Sequence, residues 1–308
     1  MPVPPGFTIP QLYVEAFDAN VRHLAQQTRS RLANTINTKS QKAETQYFDQ
    51  VDQVRFQRKT SRFAATPTVP VTYYRRASHL FDWDAAKQIT DMSDDIRMLA
   101  KPEAAVVTEI VNARNRLRDT NIINVLLSTV QRRDETRKSF DQIDIPASQK
   151  VAVDFTPDGT SVTSGLTLAK LIKMRSILGK SEDEALATGT PEIFFVHTQQ
   201  QIDDLLNDVD QVSNSRYADV KALIDGKVNR FMGLTFIQTE LLPKDPTTGV
   251  RTCMAYTRDT AIESVGMTDY INVRIRHDLS DSLEAYAMLS LGGVRMQEKT
   301  ITVCYCAE

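Results

Sequence analysis

Apolar side chains at Tyr13, Phe17, Val21, Leu24, Leu32 and Ile36 fall at near-helical spacing, with Asn, Gln, Arg and Thr on the opposite face. The pattern predicts a helix over 11–36 with one narrow apolar stripe, which needs a surface to lie against, whether the body of the chain or a neighbour. From Thr45 to Phe81 the texture turns strand-like: Val51, Val54 and Phe56, a break holding Pro67 and Pro70, then Val71 to Arg76. This predicts two extended arms around a Pro-interrupted tip, a ribbon too thin to bury its own Phe and Tyr side chains. After Pro102, Val106, Ile110, Ala113, Leu117, Ile123, Leu127 and Val130 recur at three- and four-residue steps without Gly or Pro. They predict a single spine helix over 102–130, about 40 Å long, with the charged run from Gln131 to Lys138 at its C-terminus.

Val151 to Phe155 reads as a strand closed by the turn Thr156-Pro157-Asp158-Gly159. A helix follows from Thr167, with Leu168, Leu171, Ile172 and Leu178 on its apolar face and Gly179 at its end. Ile193 to Val196 is a short buried strand running into Thr198-x-x-Gln201, a capping box that opens a helix bearing Ile202, Leu205, Leu206 and Val209. Strands are predicted at 228–242 and 251–257, around a Pro- and Gly-bearing loop. The tail alternates at Ile271, Val273 and Ile275, and again at Ile301, Val303 and Tyr305. Late strands need an early partner, and the layer holding the spine helix is the expected one. The chain is therefore read as α+β, with a discontinuous first lobe and an α/β lobe inserted at about 165–261.

Composition changes this picture little: 308 residues, 41% hydrophobic and 25% charged, describe an ordinary globular chain. Lys and Arg number 37 against 39 Asp and Glu, so no basic excess holds nucleic acid by counterion release, and a dedicated DNA binder is disfavoured. No run is apolar for the roughly 20 residues of a membrane span, and the first residues lack a signal-peptide layout, so a cytosolic protein with no membrane partner is expected. Charge is uneven locally. Between Lys42 and Arg76 lie seven basic and three acidic residues, followed by Asp82, Asp84, Asp91, Asp94 and Asp95 against Lys87 alone. A basic arm beside an acidic segment suits contact between copies of the chain.

Candidate chemistry is sparse. Gly179-Lys180-Ser181 resembles the end of a phosphate-binding loop, but Met174 stands where that motif needs glycine. Gly292-Gly293 marks a bend or close approach. His23, His79, His197 and His277 have no metal-ligand spacing, and only His197, at the end of an apolar strand, stands apart from the other three. Cys304 and Cys306 share one face of a strand at a Cα separation at or past the disulfide limit, and with Cys253 they read as reduced packing residues. Asp203-Asp204 reads as a solvated face or an intersubunit partner. No catalytic, cofactor or metal residue is assigned.

The ordered features match a known pattern, carried by Tyr13 to Phe17, Leu24 to Gln27 and Ser30 to Leu32. Further along the chain they are Arg116-Leu117-Arg118-Asp119, Gly165-Leu166-Thr167, Val228 to Leu234, Leu241-Leu242-Pro243, Gly266, Arg274 to Asp278 and Gly292 to Arg295. On these the chain resembles the major capsid proteins of tailed bacteriophages with the HK97-like fold. The resemblance implies an N-terminal arm at 1–44, an extended β-hairpin E-loop at 45–82, and a peripheral domain at 83–165 and 262–308 around the spine helix. It also implies an axial domain at 166–261. Implied with them are hexamers and pentamers of the chain itself, closing into an icosahedral shell in the virion, assembled in the host cytoplasm. Double-stranded DNA would be contacted non-specifically, with scaffolding, portal and decoration proteins as further partners. Candidate intersubunit contacts are Arg55, Arg58, Lys59, Arg62, Arg75 and Arg76 on the arm, with Asp82, Asp84, Asp94 and Asp95 as acidic counterparts. An encapsulin-like shell and a cytosolic enzyme with an unrecognised site are the alternatives.

Overall fold

The computed structural model describes residues 26–51, 71–90, 103–134, 140–181, 192–210, 230–278 and 281–308, with Phe56, Arg58, Ser61, Arg62 and Thr68. Two sheets organise them. The first combines β1 (Asn37–Ser40), β2 (Thr45–Val51), β3 (Tyr73–Thr90), β4 (Val130–Asp134), β5 (Asp141–Ile143), β11 (Ala261–Arg276) and β12 (Ser282–Arg295). Its order is β1-β11-β12-β3-β4-β5, with β2 also on β3. The 18 residues of β3 do two jobs in sequence: Tyr73 to His79 pair antiparallel with β2, and His79 to Thr90 pair with β12. At about 3.3 Å per residue that strand spans roughly 60 Å, and its first half also pairs with β4 at Tyr74 to Arg76.

Helix α1 (Glu103–Leu127) lies across this sheet, chiefly on β12. Val106 and Ile110 bury against Ala285 and Ala287, while Ile122, Ile123 and Leu126 enter the main core. The glycine pair on β12 makes this possible. A Cβ at Gly292 would collide with the His79 carbonyl oxygen, and one at Gly293 would stand 2.8 Å from Val125 Cγ2. Close approach, as the sequence implied, is what these glycines supply.

The second sheet runs β6 (Lys150–Val151), β13 (Ile301–Ala307), β10 (Val250–Thr257), β7 (Ile193–His197), β9 (Leu234–Gln238) and β8 (Arg230–Phe231). Helices α2 (Leu168–Gly179) and α3 (Gln199–Asp210) accompany it. Thr167 caps α2 by accepting the Lys170 N–H. The Thr198 N–H donates to Gln201 Oε1 at 2.7 Å, the half of the capping box the sequence announced. Leu168, Leu171, Met174 and Leu178 are the buried stripe of α2; Ile172, expected there, is exposed.

Several expectations change. Residues 26–36 are bends and turns, not the end of a helix, because Asp119 accepts the backbone N–H groups of Arg31 and Leu32 that a helix would use internally. The expected helix over 11–25 lies outside the described residues. Residues 130–134 form β4, not a helical terminus: the Arg295 guanidinium occupies the Leu126 and Ser128 carbonyls at 2.8 Å each, closing α1 and releasing the chain into the sheet. The strand at 151–155 shortens to Lys150–Val151. The span 228–242 splits into β8 and β9 across Met232-Gly233, both at positive φ, the requirement of a two-residue hairpin turn. Last, β13 leaves the spine-helix layer and pairs with β10 from Val250↔Ala307 to Tyr256↔Ile301, so the inserted lobe is completed by the chain's final strand.

Candidate intersubunit contact surface

The hairpin of β2 and β3 is paired from Thr45↔His79 to Val51↔Tyr73. On its surface the Arg75 Nε donates to Asp49 Oδ1 at 2.6 Å, and the guanidinium lies 5.5 Å over the Tyr47 ring, itself stacked on Phe140. The guanidinium beside Asp49 lowers its pKa, and Asp49 in turn raises that of Arg75. Both side chains are largely exposed, so the pair contributes little to stability.

Arg76 departs from its expected role as a surface contact. Its side chain is buried, donating to Glu298 through both terminal nitrogens at 2.5 and 2.9 Å, to Gln50 Oε1 at 2.8 Å and to the Arg295 carbonyl at 2.9 Å. Burial pushes the Glu298 carboxyl up, but the hydrogen bond and charge of Arg76 outweigh it and the net shift is downward. The same Arg295 closes α1. Arg76, Glu298 and Arg295 therefore link the root of the hairpin to the end of the spine helix, a connection invisible in sequence because Arg76 stands more than 200 residues from the other two. Arg58 and Arg62 are exposed. Asp84 is exposed, and Asp82, also exposed, accepts from Ser290 Oγ at 2.5 Å. Arg55, Lys59, Asp94 and Asp95 lie outside the described residues.

Charge was the signal the sequence offered; the larger feature is apolar. Tyr47, Val51, Val71 and Tyr73 on or beside the hairpin are each more than two-fifths exposed, and Phe56 is wholly exposed. Phe81 and Trp83 on β3 and Tyr270 and Ile275 on β11 are exposed as well. Scattered apolar exposure is ordinary, but a group of exposed aromatic and branched side chains on one hairpin makes it a candidate interaction surface. The inability of a two-stranded ribbon to cover its own aromatics was the sequence signal for it.

The spine motif also gains a physical account. Asp119, fully buried, accepts from Ser30 Oγ at 2.5 Å, the Arg31 N–H at 2.9 Å, the Leu32 N–H at 3.2 Å and the Gln27 amide. It fixes the incoming chain on α1. Arg118 binds Glu263 on β11 through two hydrogen bonds, at 2.8 and 2.5 Å. Arg274 and Arg276 flank Glu284 on the neighbouring strand, at 3.1 and 3.2 Å.

Polar and reactive groups elsewhere serve the fold. His197 is buried, its Nδ1 2.8 Å from the Thr198 carbonyl, its ring packed with Phe195 and Phe236. Burial lowers its pKa to about 4 and keeps the ring neutral. Asp204, read as a surface carboxylate, has its Oδ2 buried where a Cβ on Gly165 would collide with it, and burial raises its pKa. Lys170 is buried and donates to the carbonyls of Val153, Ser164, Gly165 and Tyr305 at 2.8–3.2 Å, tying α2 to β13. Cys253, Cys304 and Cys306 are free thiols in the core, with 3.8 Å between the last two sulfurs. Among the described residues no group of three or more His, Cys, Asp or Glu side chains is arranged to hold a metal ion, and no helix is long and apolar enough to cross a membrane.

Comparison with known proteins bears on all of this. No curated protein is a significant sequence match. In structure the chain is similar to the capsid protein of Ralstonia phage GP4, at 9% identity and a TM-score of 0.71, covering 100% of this chain and 98% of that one. It is similar also to the capsid protein of cyanophage Pam1, at 11% identity and a TM-score of 0.69, with 98% and 99% covered. For cyanophage P-SCSP1u the figures are 11% and 0.67, with 96% and 94% covered. At such identities the likeness establishes the fold, the HK97-like α+β architecture. The family model described as phage capsid protein matches residues 9–308, which disfavours the encapsulin-like and enzymatic readings. The chain belongs to the phage capsid protein family, and is a major capsid protein.

Proposed function

We propose that copies of this chain assemble as hexamers and pentamers into an icosahedral shell around phage double-stranded DNA, formed in the host cytoplasm. The hairpin of residues 45–82 is the arm that reaches an adjacent subunit, and the lobe around α1 and the lobe around the second sheet are its peripheral and axial domains. The observation that carries this reading is the hairpin's exposed apolar set, Tyr47, Val51, Val71 and Tyr73, with Phe56 wholly exposed. Many weak contacts closing on one another give a stable shell while leaving each contact correctable during assembly. Arg58 and Arg62 approach acidic residues of the neighbour, with Asp82 and Asp84 as the accessible partners, and Arg55, Lys59, Asp94 and Asp95 extend the same set. Near-neutral overall charge, with 37 basic and 39 acidic side chains, suits an inner wall that holds DNA without gripping it. Scaffolding, portal and decoration proteins complete the expected partners.

The test is negative-stain microscopy of the chain expressed alone and with its scaffold. Closed particles, or sheets and tubes of hexamers, are expected. The double reversal Arg58→Glu, Arg62→Glu should abolish or misdirect assembly with no change in melting temperature. Normal particle yield from that variant would remove the arm charges from the reading.

A further inference from the structure

Two guanidinium groups and one carboxylate share a buried site where the root of the hairpin meets the end of α1. The side chains of Arg76 and Arg295 are 4% and 0% exposed, and that of Glu298 is 14% exposed. Glu298 stands in the connection between β12 and β13, and both of its oxygens are taken by Arg76, at 2.5 and 2.9 Å. Arg295 is left incompletely paired. Its two terminal nitrogens donate to the carbonyls of Leu126, Ser128 and Ile143, but its buried Nε has no hydrogen-bond partner among the described residues. A buried, charged donor without an acceptor is a rare and costly feature of a folded chain.

The acceptor it lacks is close by. Glu298 Oε1 lies 3.7 Å from Arg295 Nε, beyond hydrogen-bond range, and it is the same oxygen that Arg76 Nη1 holds at 2.5 Å. A shift of about 0.8 Å brings it to the usual ~2.9 Å from Nε and stretches its contact with Arg76 to as much as about 3.3 Å, where a hydrogen bond is weak. One oxygen therefore has two donors and sits on one of them. The two donors belong to different parts of the subunit. Arg76 is on the hairpin, where it also donates to Gln50 Oε1 at 2.8 Å and to the Arg295 carbonyl at 2.9 Å. Arg295 is at the end of β12, where its grip on the Leu126 and Ser128 carbonyls closes α1. When the root of the hairpin moves out, Arg76 goes with it toward water, and a carboxylate left behind in so shielded a place needs the remaining cation.

We infer that Glu298 is a two-position latch, held by Arg76 while the root of the hairpin is seated and passing to Arg295 Nε when the root is released. Release of the hairpin then tightens the cap on α1 instead of loosening it, because Arg295 gains the bond it lacks. A contact made by the hairpin is thereby felt at the end of the spine helix. That consequence for assembly rests on the proposed role of the hairpin as the arm; the two positions of Glu298 belong to the single chain and do not.

Hydrogen exchange followed by mass spectrometry on the unassembled chain tests this, with the amides of β7 as the measure of global unfolding. Arg76→Met removes the first holder of the carboxylate and keeps an apolar stem in its place. Exchange in Thr45–Val51 should rise about tenfold, while exchange in the last turn of α1, where the Ser128 N–H donates to the Asn124 carbonyl, should fall about threefold. Unchanged or faster exchange at the end of α1 overturns the latch, since a plain structural link loosens at both ends. Adding Glu298→Gln should abolish the slowing; slowing that persists without the carboxylate overturns it equally. Should circular dichroism show Arg76→Met unfolded, Arg76→Lys gives the same test. A single ammonium cannot hold both oxygens in the planar fork, so both changes should keep their signs at smaller size. Shell formation is read separately by microscopy, so a latch that fails leaves the assembly reading standing, and shells that fail to form leave the latch standing.

Discussion

The hairpin of β2 and β3 and the central strands of the second sheet use the same backbone pairing to opposite ends. In the sheet, β13, β10 and β7 are packed on both faces: Phe195, Cys253 to Tyr256, Ile301 and Cys304 are almost entirely shielded, and the buried polar groups Lys170 and His197 find carbonyl partners. In the hairpin the strands are paired just as regularly, yet Tyr47, Val51 and Tyr73 face water and the Asp49–Arg75 pair is solvated. Hydrogen-bonded pairing alone does not make a stable element; burial does, because intramolecular hydrogen bonds largely replace bonds to water. The sheet stabilises the subunit, while the hairpin is held by its root at Arg76 and leaves part of its apolar surface exposed. Under the proposed function, stability and assembly fall in different parts of the chain.

This division is broken most sharply in the core. Phe195→Ala removes a fully buried ring that meets His197 and Phe236, and should cost about 3–5 kcal/mol in urea unfolding. Retention of wild-type stability would contradict the assignment of the second sheet as the stabilising element. Next is the root of the hairpin. Glu298→Gln leaves Arg76 and Arg295 buried beside a neutral amide and should cost about 3 kcal/mol, with proteolysis at the hairpin rising more than the global loss accounts for. Equal loss in both readouts would mean the hairpin is not separately anchored.

Acid sharpens the same contrast. His197 titrates at about 4 in the folded chain against 6.5 unfolded, so the unfolded state takes up the proton first. Its contribution is complete above pH 6.5 and is lost as pH falls toward 4, a decline of up to about 3 kcal/mol. His197→Gln should flatten stability over that window; an unchanged slope would place the acid sensitivity elsewhere. At the small end stand the Arg58 and Arg62 reversals, which should leave the melting temperature unchanged while lowering particle yield.

Local order was legible where the signal is local. The spine helix followed from apolar residues at three- and four-residue steps without Gly or Pro, the α3 start from Thr198 and Gln201, and the paired arms of the hairpin from strand-like texture on either side of Pro67 and Pro70. The family pattern followed from the order of such pieces. Within the contact surface, charge singled out Arg58 and Arg62, which are exposed, and also Arg76, which is not, because a basic residue on a strand reads the same whether it meets solvent or a buried Glu298.

The chain by itself determined the helices α1, α2 and α3, the strand-like texture of the arms, and that the arm holds more aromatics than it can bury, because these depend on periodicity and on how many apolar groups a segment holds. Only the tertiary structure decided that β13 belongs with β10, that Arg295 closes α1, and that Asp119 unwinds residues 26–36. Each of these rests on a contact between residues far apart in the chain, where the loss of chain entropy is offset by burial and pairing that no local pattern encodes.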